Sequence, residues 1–185
     1  TKRMITGFFS HWDCIDPATN PGGIWLPVEI IETGDVRIED PMIHACYFTS
    51  KYLSVEARLS VDSTKRCRIK VRITFTPHNF IGKTHVFEQI FLKTPGKNNY
   101  QMLLNLDEYA LWWTYDHGWP SLYRVRMEVI EEGADQPSDA VEFRTGFRIF
   151  EMRDYTAYLN GRRIFIRGNN YPPGDTRIAT VKRET

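Results

Sequence analysis

The sequence is short of the features that usually declare a function. It has three cysteines, Cys14, Cys46 and Cys67, an odd number with no Cys-x-x-Cys pair, which speaks against a zinc site and a disulfide framework. Isolated core or surface thiols are the plain reading, and one bridge stays open in an oxidising compartment. Charge of one sign is lacking as well: 24 Lys and Arg against 23 Asp and Glu leave a net charge of +1. That excludes the electrostatic footprint of a nucleic-acid or anionic-membrane partner. No apolar run approaches the ~20 residues of a membrane-spanning helix. The opening TKRMITGFFSHWD has no apolar stretch before a small-residue cleavage site, so no signal peptide is visible, which says little if the native N-terminus lies elsewhere. The five histidines, His11, His44, His78, His85 and His117, include no i, i+4 pair of the zinc kind. A Gly-x-Ser-x-Gly elbow and a phosphate-binding glycine loop are missing too. No catalytic residue, metal ligand or cofactor is therefore assigned within the chain. Helical periodicity is scarce, with only 107–113 ambiguous.

Alternation with period two is abundant. Val55, Ala57, Leu59 and Val61 share one strand face; Ile69, Val71, Ile73 and Phe75 share another, with Arg68, Lys70, Arg72 and Thr74 opposite. Tyr100, Met102, Leu104 and Leu106 repeat the pattern, as do Tyr123, Val125, Met127 and Val129. Such alternation marks strands with one buried and one wet face. Further strands are expected at 86–92 and 140–150, separated by turn signals such as Pro95-Gly96-Lys97-Asn98. About seven short strands over ~100 residues predict an all-β fold, an immunoglobulin-like antiparallel β-sandwich, placed at 36–150. The basic run KRCRIKVR reads as the solvated face of a strand, and Glu128, Glu131 and Glu142 as solvated strand or turn charges.

The flanks read differently. Residues 1–35 are rich in Pro, Gly and Trp and end in a strand-like WLPVEII. Beyond Phe150 comes an Asn160-Gly161 hairpin signal, an apolar strand and a proline-stiffened loop, YLNGRRIFIRGNNYPPGD. The aromatic stretch LWWTYDHGWPSLY, residues 111–123, holds three Trp and two Tyr. It can be a core plug, an interdomain contact or a sugar-stacking patch; the structural readings are favoured.

Four stretches, in order, resemble glycoside hydrolase family 2, which includes β-galactosidases, β-glucuronidases and β-mannosidases. GGIWLPVEI resembles the end of that family's N-terminal jelly roll. Leu111, Trp112, Trp113, Gly118, Pro120, Leu122 and Tyr123 resemble a motif of its immunoglobulin-like domain, with Thr114 where proline is usual. Gly146, Phe147 and Arg148 are similar to its Gly-Phe-Arg signature. Leu159, Asn160, Gly161, Arg167, Gly168 and Asn170 are similar to the entry into its catalytic (α/β)8 barrel. Asn170-Tyr171-x-Pro173-x-Asp175 and the Trp12-Asp13 pair lean toward the β-mannosidase branch, although His11, Cys14 and Pro172 depart from its pattern.

The resemblance implies three sections: 1–35 as the tail of the jelly-roll sugar-binding domain, 36–150 as the sandwich, and 151–185 as a hairpin linker with the first barrel strand (Arg163 to Arg167) and loop. Its partners would be the flanking jelly roll and barrel, with carbohydrate as the ligand of the whole protein. Residues Trp12, Asp13, Asn169, Asn170, Tyr171 and Asp175 would contribute to sugar binding there. The family's retaining chemistry needs two carboxyls ~5 Å apart, one in an Asn-Glu dipeptide; the chain contains none, so it is expected to be inactive by itself and to act as a scaffold. A polysaccharide-degrading parent would suit a periplasmic or secreted location. A carbohydrate-binding module built on the Trp-rich segment, or an adhesion domain of the same fold, are the alternatives.

Overall fold

A computed structural model describes residue 24 and residues 27–169. Residues Glu32–Ile166 form one compact unit, and the following description is of that unit. It contains ten strands and, among the described residues, no α-helix. These are β1 (Arg37–Phe48), β2 (Leu53–Ser63), β3 (Cys67–Pro77), β4 (His85–Lys93), β5 (Gly96–Leu106), β6 (Tyr123–Glu131), β7 (Asp139–Thr145), β8 (Phe150–Arg153), β9 (Thr156–Leu159) and β10 (Arg162–Ile164).

The first seven strands build the sandwich. One sheet has the order β1-β2-β5 and the other β4-β3-β6-β7, and every pairing is antiparallel. The alternating faces meet between them. Val55, Ala57 and Val61 of β2, Ile69, Val71, Ile73 and Phe75 of β3, Leu106 of β5 and Val125, Met127 and Val129 of β6 lose all contact with solvent. Each such side chain contributes about 1.5–3 kcal/mol relative to exposure. The fold is the all-β, immunoglobulin-like sandwich that the alternation predicts.

Local chemistry explains the departures. Strand β1 carries no clean alternation because it is bulged: its register with β2 slips between Glu39 and Met42 and again between Ala45 and Tyr47. Asp40 sits at φ 48° beside Pro41, which lacks a ladder N–H and suits an edge. The expected strand at 140–150 is broken. Strand β7 ends at Thr145 and β8 begins at Phe150 in a different sheet, with Phe147 between them buried in the sandwich core. Residues 27–31, the described part of the stretch WLPVEII read as a strand, form none. Segment 107–113 is not helical either.

The charges on the solvent face of β3 are paired with neighbouring strands and turns. Arg72 Nε lies 2.6 Å from Glu88, and Arg68 pairs with Glu132 at 3.0 Å. Glu128, expected to be solvated, is only 8% exposed. It lies on inner strand β6, with Arg126 at 3.1 Å and Arg72 at 3.7 Å. The long arginine stems on either side cover it while their head groups neutralise it.

The third sheet is a meander, β8-β9-β10. Both hairpins have two-residue loops with positive φ at both positions. Asn160 and Gly161 lie at 51° and 77°, and Asp154 and Tyr155 at 45° and 60°. This is the type I′ geometry, which matches the strand twist. The Asn-Gly loop was legible in the sequence; Asp154-Tyr155 was not, because it lacks glycine. The strand expected from Arg163 to Arg167 is shorter, pairing with β9 only through Ile164 opposite Ala157. Past that point the meander offers Phe165 and Ile166 no strand partner.

Candidate functional site

Within this unit, Trp112, Tyr123, Gly146, Phe147, Arg148 and Asn160, which carry three of the family motifs, lie together. Tyr123 begins β6 because the strand face there must close the core. Its ring is 1% exposed and packs 4.9 Å from Phe80 and 4.8 Å from Phe147. A buried phenol needs a partner, and its oxygen accepts the Ala110 N–H at 2.9 Å. Burial pushes its pKa up, so the hydroxyl stays neutral. This ties the chain leaving β5 to the start of β6, as a tyrosine corner does. Tyr123→Phe is expected to lose about 1–2 kcal/mol by orphaning that amide, measured as a lower urea midpoint at unchanged slope.

Next to it, Trp112 is fixed from three sides. Its N–H donates to Phe147 O at 2.7 Å, its carbonyl accepts from Asn160 Nδ2 at 3.0 Å, and the Arg148 guanidinium lies 5.1 Å from its ring. Gly146 lies against the indole so closely that a Cβ there would stand 2.6 Å from Trp112 Cδ1. Asn160 also holds Ile149: Oδ1 accepts the Ile149 N–H at 2.9 Å, and the Asn160 N–H donates to Ile149 O at 2.7 Å. The Trp-Trp, Gly-Phe-Arg and Leu-Asn-Gly motifs are thus parts of one clamp between the sandwich and the meander.

The rest of the aromatic loop is fixed by Asn79, which motif reading missed. Its side chain donates to Pro120 O at 2.9 Å and accepts the Leu122 N–H at 2.8 Å. Its carbonyl receives the Trp119 indole N–H at 3.0 Å. A local signal existed, since an Asn two residues past a strand often fixes a turn through its side chain. The partners, however, lie about 40 residues away in sequence. Trp119 remains 61% exposed and Tyr115 88%, so two of the five aromatics of the stretch are surface features.

A polar cluster joins the ends of β4 and β5. Asp107 receives Lys83 Nζ at 2.6 Å and His85 Nε2 at 2.8 Å. His85 is 5% exposed and its Nδ1 is enclosed without a partner; the proton is therefore assigned to Nε2. The lysine first, and then the histidine, hold the Asp107 carboxyl well below the usual carboxylate range. A depressed folded-state pKa gives stability that is present above the unfolded value of ~3.9 and lost as pH falls through the folded one. Wild type should therefore exceed Asp107→Asn in stability at neutral pH, with a gap that narrows below about pH 4. Urea titrations across that range read it directly.

Asn169 is exposed, past the end of β10; Trp12, Asp13, Asn170, Tyr171 and Asp175 lie outside the described residues. Among the described residues no group of three or more His, Cys, Asp or Glu is placed to hold a metal. The meander bears an open hollow of about 610 Å³ lined by Met152, Tyr155, Phe165, Ile166 and neighbours. Three of its apolar members, Met152, Phe165 and Ile166, are 55%, 81% and 59% exposed.

Fold and clamp together define an immunoglobulin-like domain. The sequence pattern of Glycosyl hydrolases family 2 matches residues 36–148, and the chain belongs to that family. It is 27% identical over 98% of its length to a mannosylglycoprotein endo-beta-mannosidase of Lilium longiflorum, covering 21% of that protein. It is 28% identical over 80% of its length to a beta-galactosidase of Alteromonas mediterranea, covering 14%. Among solved structures, the beta-D-mannosidase of Dictyoglomus thermophilum superposes with a TM-score of 0.69 at 18% identity, over 81% of this chain and 19% of that one. The Amycolatopsis orientalis exo-chitosanase CsxA gives 0.62 at 18%, over 79% and 17%. These two likenesses show the fold. The chain spans about a fifth or less of the length of these relatives.

Proposed function

We propose that this chain is the scaffold section of a retaining family 2 glycosidase acting on β-glycosides. In this reading, 36–150 is the sandwich, 1–35 the tail of a jelly roll, and 151–185 the entry to a catalytic barrel. The observation that carries it is the clamp. Trp112, Gly146 and Asn160 direct their close contacts at one another and fix the sandwich to the meander from which a barrel would start. The exposed apolar residues of the meander hollow suit burial against a further domain of the same polypeptide. The sugar contacts of the whole protein would come from Trp12, Asp13, Asn169, Asn170, Tyr171 and Asp175, and the match to the lily enzyme favours a β-mannoside among the substrates. The buried glutamates of the sandwich serve its structure: Glu56 is paired with Arg58 at 2.8 Å and Glu128 with Arg72 and Arg126.

The test is hydrolysis of nitrophenyl β-mannoside, β-galactoside and β-glucuronide by the 185-residue chain. No release above the buffer blank is expected, and turnover that survives repurification would overturn the scaffold reading. Exposed Trp119 and Tyr115 favour one second reading, a carbohydrate-binding surface on the aromatic loop. Saturable quenching of tryptophan fluorescence by β-linked oligosaccharides, lost in Trp119→Ala, would support it over a pure scaffold.

A further inference from the structure

We propose that strand β4 is a self-association edge, through which two copies of this chain join their four-stranded sheets antiparallel about a two-fold axis at Gln89. A sheet edge is a row of unpaired backbone groups, and proteins ordinarily blunt it with bulges, proline, charge or a covering segment. The sandwich does so at two of its edges. Strand β1 has two register slips, Pro41 and the positive-φ Asp40. The edge of β7 is covered: Ser138 O, Ser138 Oγ and Asp139 Oδ2 accept the N–H groups of Gly34, Val36 and Ile38 at 2.6, 2.9 and 2.7 Å.

Strand β4 lacks the bulge and the proline, and its outward Leu92 O is met by the Tyr100 hydroxyl. It runs nine residues without proline or a register slip, and among the described residues no strand pairs with its outer side. Its outward row is apolar, with Val86, Ile90 and Leu92 at 56%, 57% and 53% exposure. The one charge in that row, Glu88, is neutralised by Arg72 at 2.6 Å and Lys70 at 3.7 Å, so it does not act as a gatekeeper.

The pairing register follows from the backbone. Leu92 O accepts from the Tyr100 hydroxyl at 3.0 Å, which turns the backbone groups of Leu92 away from β3. By the alternation of an antiparallel ladder, Val86, Glu88 and Ile90 turn theirs the same way. An axis at Glu88 would set two like charges directly opposite, a destabilising pair. An axis at Gln89 sets Glu88 opposite Ile90 of the partner copy, twice, and Val86 opposite Leu92. The apolar row then continues across the junction, and each Glu88 keeps its own Arg72. A two-fold contact of this kind is closed and self-complementary.

Sedimentation of the 185-residue chain over a concentration series tests this. A dimer that grows with concentration is expected, and Ile90→Lys should raise its dissociation constant about tenfold or more without altering the far-ultraviolet spectrum. Gln89→Cys should form a disulfide-linked dimer under mild oxidation much faster than wild type, which carries the native cysteines only. In a non-hydrogen-bonded antiparallel pair the two Cα atoms stand ~4.5 Å apart, within disulfide reach. A chain that stays monomeric, a dimer indifferent to Ile90→Lys, or cross-linking no faster than wild type overturns the proposal. None of these results depends on whether the chain hydrolyses or binds a glycoside.

Discussion

Replacing Asn160 by alanine is expected to destabilise the domain by about 2–4 kcal/mol, a large fraction of the stability of a small sandwich. Three effects act together. The Ile149 N–H loses its acceptor and the Trp112 carbonyl its donor, at a site where Asn160 is 8% exposed and water does not easily substitute. Each orphaned group costs about 1 kcal/mol or somewhat more at this partly buried site. Alanine must also hold φ 51°, a left-handed conformation that adds roughly 1 kcal/mol. Two further variants separate these effects. Asn160→Gly removes the conformational penalty alone and should recover only that last ~1 kcal/mol. Asn160→Asp keeps an acceptor for Ile149 but sets a carboxylate against the Trp112 carbonyl. It should be no better than alanine at neutral pH and should improve on acidification, when a protonated carboxyl can donate. Urea denaturation of the four proteins gives the order; an alanine variant within about 0.5 kcal/mol of wild type would show that the clamp contributes little.

The sandwich was legible in the sequence wherever one face of a strand is dry and the other wet. Strands β2, β3, β5 and β6 announce themselves through Val55–Val61, Ile69–Phe75, Met102–Leu106 and Tyr123–Val129, because period two has no other common cause. It was illegible where pairing or burial is decided by a distant neighbour. The bulge at Asp40 hides β1. The exit of the chain at Gly146, which delivers Phe147 into the core and Trp112 to Phe147 O, divides what reads as a single strand. Glu128 alternates as a surface residue and is buried because two arginines flank it. The motifs located the clamp but not its geometry. Asn160 reads as a turn residue, and nothing local says that its side chain reaches Trp112, 48 positions earlier. The sugar-contact candidates rest on motif likeness, and Asn169 alone among them lies within the described residues.

Gly146→Ala should cost about 2–3 kcal/mol, and the cause is steric. The backbone conformation of Gly146 is not the left-handed one that favours glycine, so alanine pays no torsional penalty. Its Cβ, however, would meet Trp112 at 2.6 Å from Cδ1 and 2.8 Å from both Cβ and Cγ. Two of these atoms lie at the root of the side chain, where a rotamer change relieves little. Moving the Trp112 backbone instead would stretch its bonds to Phe147 O and to Asn160, so the strain has no cheap outlet. Gly133 supplies the opposite control: its φ is 85° and a Cβ there meets nothing within 4 Å, so Gly133→Ala should cost only the ~1 kcal/mol of backbone strain. Gly146→Ala should also change the near-ultraviolet signal of the tryptophans, which Gly133→Ala should leave alone. A double-mutant cycle assigns the cause. With Trp112 trimmed to alanine, the Gly146→Ala penalty should shrink, because the clashing Cγ and Cδ1 are gone and only the 2.8 Å approach to Cβ remains. A penalty that persists undiminished in the Trp112→Ala background would place the cause outside the indole contact, in the path of the chain between β7 and β8.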